Sequence, residues 1–337
     1  MKQSLFIFLL LVSIGGYAKS WFVSNITSTA DFASLTLAHA QAQSGDTLYV
    51  EGGNPYEGLV ITKKLVLIGP GYFLTENPDT HFNKMPALIK STILFEKGSY
   101  GSEIMGFDFK MYSADIQLKE SAITIKRNRL NDVIFYNNLS INTINDITII
   151  QNYFDGRLTY YGYTELVINR LIVCNNYMDL VQLSNSNITM SALFENNTIN
   201  SSLNCKNSTI RNNIFISGGW DNPEMFKKTY LNNISNNIFT YNTPIDLVNY
   251  SSGTNNQWSV SKSIIFIGVS KNNSDGQWQL TADSPAKGAG YGDADCGMFG
   301  GPTPYQLSGL PPVPVVYEII GPDMPSGKVT IKARAIK

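Results

Sequence analysis

The chain reads as an all-β solenoid, a β-helix, on three observations. Asparagine recurs in one local frame, at Asn128, Asn152, Asn176, Asn197, Asn213 and Asn237, separated by 24, 24, 21, 16 and 24 residues. Three residues before each stands an apolar residue (Ile125, Ile149, Val173, Phe194, Ile210, Ile234), and two after stands another (Leu130, Phe154, Met178, Ile199, Phe215, Phe239). In the first four units position minus five is apolar too (Ile123, Ile147, Leu171, Ala192) and alternates with Thr124, Thr148, Ile172 and Leu193. That period of two belongs to strands, with one side chain in and the next out. Each repeat is therefore one coil, and the Asn turns the chain between two short strands. Stacked coils set equivalent residues about 4.8 Å apart, so the amides form a ladder up one corner.

Taken in order, residues 1–18 have the pattern of a secretory leader: Lys2, an apolar run from Leu5 to Ile14, and the small-x-small step Gly16-Tyr17-Ala18. The run is too short to span a bilayer. From Thr29 to Gln43, Phe32, Leu35 and Ala38 fall at helical spacing behind Asp31 as N-cap, predicting one amphipathic helix over the open end of the solenoid core. Residues 45–50, 56–61 and 64–69 predict three short strands, the first one or two coils. Pro70 to Pro86 is rich in Gly, Pro, Asn and Asp and reads as a loop leaving the stack. Strands resume at Ile93-Leu94-Phe95 and continue through Ile104 and Phe107, and regular coils fill about 116–240. Late strands are expected at Ile264–Ile267 and Trp278–Leu280. The proline-rich stretch Gly309 to Pro314 predicts a stiff connector to two tail strands, Val315–Ile319 and Lys328–Ile336. The expected organisation is a leader over 1–18, a capped β-helix over 19–306, and a connector with tail over 307–337.

A mature chain of about 319 residues is long for one ordinary core, but a solenoid lengthens by adding coils. The net charge of −1 and the absence of a basic run argue against nucleic acid as a partner. Cys174, Cys205 and Cys296 are odd in number and far apart, which fits isolated buried thiols and neither a disulfide framework nor a zinc site. Asn-x-Ser/Thr triplets at Asn187, Asn207 and Asn233 are read as turn chemistry.

The start Gly45-Asp46-Thr47-Leu48-Tyr49-Val50, the step Gly69-Pro70-Gly71-Tyr72 and the repeated Asn-Asn-x-Phe/Ile turns resemble the pectate-lyase-like superfamily. The segments Ser284 to Gly290 and Asp295-Cys296-Gly297-Met298-Phe299-Gly300-Gly301, with Pro304-Tyr305, are similar to the closing segment of secreted bacterial β-helix proteins. The resemblance covers about 45–305. It implies an all-β, right-handed parallel β-helix with an N-terminal capping helix and a short C-terminal β tail. It leaves the chemistry open, since the superfamily holds lyases, hydrolases, epimerases, adhesins and inactive members.

Position plus three reads Asn131, Asp155, Asp179 and Asn200. It faces outward, so Asp155 and Asp179 are expected one strand spacing apart, with Arg157 nearby and Arg211 on a later coil. Solvated carboxylates relieved by Arg157 are the simpler account; Ca²⁺ bridging them is the functional one. Superfamily lyases carry calcium on an outer strand face with a basic residue as base. Tyr160, Tyr161 and Tyr163, with Tyr153 and Tyr177 at plus one, offer aromatic faces to sugar rings or simply occupy strand positions that tyrosine favours. Trp220, on a loop, extends that surface, while Trp258 and Trp278 pack the C-terminal coils. Only His39 and His81 are present, and no nucleophile has a nearby base. The expectation is an exported, non-catalytic protein of polysaccharide recognition or surface attachment. A calcium-dependent uronate lyase and a purely structural surface protein are the alternatives.

Overall fold

A computed structural model describes residues 17–137, 142–217, 224–242, 249, 251–323 and 328–334. Trp220 and nearly all of the expected leader lie outside the described residues. The chain winds as a right-handed parallel β-helix of about nine turns. One parallel sheet runs from Ser20–Val23 through Thr47–Val50 and Val66–Ile68 to Asn233–Ser235. A second sheet bends into two faces. One holds the two-residue strands that follow the ladder Asn, such as Tyr153–Phe154, and the other holds longer strands such as Val133–Tyr136 and Arg157–Tyr161.

The ladder and the core columns follow the sequence pattern. The Asn Nδ2 groups donate to the Oδ1 of the next coil, at 3.3 Å from Asn128 to Asn152 and 3.0 Å from Asn176 to Asn197, and the series ends on Asn256. Each Oδ1 also accepts a backbone N–H from the coil before, that of Phe107 for Asn128 and that of the preceding ladder Asn for the others, so these six fully buried amides are satisfied along the corner. The turn itself falls one residue earlier than expected. Arg127, Gln151, Asn175, Asn196, Asn212 and Asn236 hold positive φ near 55°. A left-handed backbone there re-aims the strand and lets the ladder Asn point inward. All the minus-three and plus-two residues are buried, and Phe215, Phe239 and Trp258 stack at centroid distances of 4.7 and 4.2 Å to close the far end.

At the near end a strand that the pattern did not reveal, Ser20–Val23, pairs with Thr47–Val50 ahead of the helix. It shifts the helix to Leu35–Gln41, with Ser34 as N-cap in place of Asp31, because Phe32 is held beside Val23 in a bridge. Asp31 instead accepts the Phe22 N–H. Leu35 and Ala38 cover the core, and the Lys63 ammonium donates to the carbonyls of His39 and Ala42 at the helix end.

Residues 260–311 form no further coils. The expected strand at Ile264–Ile267 is a short helix, Lys262–Ile265, and Trp278 ends a 3₁₀ turn, with one antiparallel bridge between Phe266 and Leu280. A run of four apolar residues is compatible with both periods, and here only Ile265 and Phe266 find apolar cover. The segment from Tyr291 to Leu310 then runs back along the stack as a strap, fastened by the left-handed column. Asn212 Oδ1 accepts the Tyr291 N–H, Asn196 Nδ2 donates to the Asp295 carbonyl, and Asn175 Nδ2 to that of Gly300. Further on, Gln151 Nε2 donates to the Pro304 carbonyl and Arg127 Nη1 to that of Leu310. Under the strap lies a second apolar cluster that includes Tyr72, Tyr153, Trp278, Met298 and Tyr305. The proline-rich stretch is thus no connector across open space. Leu310 and Val315 are buried against the first coils, and the tail strands Val315–Asp323 and Lys328–Arg334 form an antiparallel hairpin beyond it.

Candidate functional site

The structure separates the expected site residues instead of gathering them in one groove. Asp155 and Asp179 are engaged in opposite directions along the stack. The Arg129 Nε of the coil before donates to Asp155 Oδ2 at 2.8 Å, while the Asn200 Nδ2 of the coil after donates to Asp179 Oδ1 at 2.7 Å. Arg129 also lies 3.6 Å from Asp108 and over the Phe73 ring. Burial works against the Arg129 charge, and the bond to Asp155 with the nearby Asp108 overrides it, raising its pKa. Burial raises the Asp108 carboxyl, with Arg129 opposing. Arg157 does not reach Asp155; its Nη2 pairs with Asp132 Oδ2 at 3.1 Å. Among the described residues, no group of three or more His, Cys, Asp or Glu is placed to hold a metal ion. These residues therefore do not fit the calcium site expected at Asp155 and Asp179, because a guanidinium already holds one carboxylate and an amide the other.

Tyr153 and Tyr177 do stack, at 4.5 Å and 16°, but they do so under the strap: Trp278 stacks on Tyr177 at 4.9 Å and Phe73 meets Tyr153 edge-on. Burial pushes the Tyr153 hydroxyl up to about 12. Arg211 lies in the first sheet, paired with Glu195 at 2.7 Å and 5.0 Å over the Tyr291 ring. Tyr160 points inward, packs on the core and donates its hydroxyl to the Thr164 carbonyl.

What remains facing solvent is the third face of the coil. On Arg157–Tyr161 the alternation sets Arg157, Thr159 and Tyr161 outward and Leu158 inward. Parallel pairing places Ile134 beside Thr159 and Tyr136 beside Tyr161 in the preceding coil, with Gln182 beside Thr159 in the next. Tyr136 and Tyr161 stack at 5.5 Å and 25°, and Tyr163 meets Tyr161 edge-on at 6.2 Å. The Lys119 ammonium lies 5.0 Å over Tyr136 and pairs with Glu96 at 3.2 Å. Both faces of Tyr136 are thus occupied, whereas Tyr163 is 88% exposed and Tyr161 53%. The Tyr161 hydroxyl is raised by its bond to that of Tyr163 and by the charges of Tyr163 and Tyr136. Four residues of extended chain put Arg157 about 13 Å from Tyr161 across the face. The surface is an aromatic step at one edge, an Arg157–Asp132 pair at the other, and Thr, Gln and Ile between.

Lys119, Tyr136 and Asp132 were not singled out from the sequence. For Tyr136 and Asp132 the signal was hidden by one extra residue. Arg129 pairs with Tyr153, an offset of 24, but Tyr136 pairs with Tyr161, an offset of 25. The change falls at Asp155-Gly156, where a Cβ on Gly156 would sit 2.6 Å from the Asn131 carbonyl oxygen, so the turn is too tight for a side chain.

No protein-family model matches the chain, and no curated protein matches it. Among solved structures the chain is similar to pectate lyase Pel9A, with a TM-score of 0.35 and 12% identity over 83% of this chain and 96% of that one.

Proposed function

We propose that this protein is an exported, non-catalytic polysaccharide-binding β-helix whose third face receives the polymer along the coil axis. The observation that carries the reading is the solvent-facing step of Tyr136, Tyr161 and Tyr163, flanked by Lys119 and by the Arg157–Asp132 pair. Sugar rings present apolar C–H faces and a rim of hydroxyls, which such a surface matches with an open ring face and hydrogen-bonding edges. Each ionic side chain named on this face is already paired, which supports binding by position over proton transfer. Export rests on the leader pattern in residues 1–18.

The test is a glycan array followed by affinity electrophoresis against the polysaccharides retained. Tyr163→Ala removes the open ring and should weaken retention by about three- to tenfold, while Tyr136→Ala, whose ring faces are covered, should change it less. Equal retention of wild type and Tyr163→Ala, or release of unsaturated uronate products from a retained polymer, overturns the reading.

A further inference from the structure

Where the strap leaves the coils, it and the loop after Pro70 enclose a cleft of about 600 Å³ that shares no lining residue with the third face. Its size lies in the range of small-molecule sites. The floor is rigid for a physical reason. Asp275, fully buried, accepts from Asn77 Nδ2 at 2.7 Å, Ser308 N–H at 2.7 Å and the Tyr305 hydroxyl at 3.0 Å, while the Tyr72 and Tyr305 hydroxyls meet at 2.6 Å. These groups come from three segments far apart in sequence, and the network locks strap, loop and 3₁₀ turn together. Above that floor the walls mix two kinds of group. Phe299, set edge-on to Tyr305 at 5.5 Å, gives an aromatic wall, and Gln279, Gln306, Asp79 and Arg334 give polar ones.

Arg334 is the informative residue. It comes from the tail hairpin, where its backbone pairs with Val315, and stands on the cleft wall, its guanidinium without a hydrogen-bond or ion-pair partner among the described residues. Asp79 lines the same cleft without pairing to it. A cation and an anion that line one cleft without pairing to each other present donors and acceptors at once, with charges of opposite sign. Aromatic ring, side-chain amides, carboxylate and guanidinium are the groups that bind a ring bearing several neutral hydroxyls. An anionic ligand would gain at Arg334 what it loses at Asp79, and an apolar one would strand the amides. We infer that this cleft is a second site, taking a neutral saccharide of about one or two rings, with the tail hairpin supplying one wall through Arg334. The tail thereby acquires a role in binding.

The experiment is titration calorimetry of the full chain with cellobiose, lactose and mannobiose, and with a galacturonate disaccharide as the charged comparator. At least one neutral disaccharide should bind, and more tightly than the charged one. Arg334→Ala, at an exposed and unpartnered position, should cost about ten- to a hundredfold. Gln306→Ala, with an unchanged melting midpoint as control, should also weaken binding, while Tyr163→Ala should leave it unchanged. No heat from any neutral disaccharide at millimolar concentration overturns the inference. So does binding lost with Tyr163→Ala and kept with Arg334→Ala, which would place the ligand on the third face. Polymer retention unchanged in Tyr163→Ala, with an intact disaccharide site, would remove the function proposed above and leave this inference standing.

Discussion

At the scale of single residues, the asparagine ladder turns a liability into a stabilising corner. A fully buried amide is costly unless both donor hydrogens and the carbonyl oxygen find partners. Asn176 meets that demand: its Nδ2 reaches Asn197 Oδ1 and the carbonyls of Ile149 and Cys174, and its Oδ1 accepts from Asn152. Asn176→Ala should therefore destabilise by about 1–3 kcal/mol, since it leaves the buried backbone N–H of Asn152 without its acceptor and removes the side-chain donor to the Ile149 carbonyl. Chemical denaturation reads this directly, and an unchanged midpoint would mean that the ladder contributes nothing. The neighbours one position earlier do different work. Arg127 and Gln151 hold a left-handed conformation that costs a non-glycine residue about 1 kcal/mol, and their side chains offset it by binding the strap.

At the scale of elements, the strap behaves as a separate layer on a finished solenoid. Its main polar anchor is Asp275, whose carboxyl is raised by burial and lowered by its hydrogen-bond donors, with burial the larger influence. Asp275→Ala should cost about 1.5–3 kcal/mol, the scale of hydrogen bonds to a charged group. The three thiols report where that cost falls. Cys174, Cys205 and Cys296 are all buried, and burial pushes each up to about 12, so a thiolate-directed reagent should label none of them in the native protein and three after unfolding. In Asp275→Ala, Cys296 on the strap should become reactive first, with Cys205 inside the coil still protected. Simultaneous labelling of both would show that strap and solenoid open as one unit.

At the scale of the whole molecule, the solenoid offers long faces, and covering decides which of them are usable. The strap takes the face after the ladder corner and leaves the third face open. No helix among the described residues is long and apolar enough to cross a membrane. The third face and the cleft have no lining residue in common, so their losses should add in free energy. The Tyr163→Ala penalty on polymer retention should have the same size in wild type and in Arg334→Ala. A penalty that changes between the two backgrounds would show that the surfaces bind one continuous chain.

What the sequence determined by itself was the coil. Inward positions such as Ile125, Asn152 and Phe154 answer to a local rule, because each stacks on its own equivalent one repeat away and must match it in size and polarity. The end cap was legible from its helical spacing, down to Leu35 and Ala38, although its first turn was displaced by a strand with no repeat to announce it. Outward positions obey no such rule. Asp155, Asp179, Arg157 and Tyr177 look alike in a repeat frame, yet one is held by Arg129, one by Asn200, one by Asp132 and one lies under Trp278. Those outcomes depend on the extra residue at Gly156 and on a strap arriving from more than a hundred residues away. Neither is encoded in the period, so only the tertiary structure decided which polar and aromatic side chains meet solvent together.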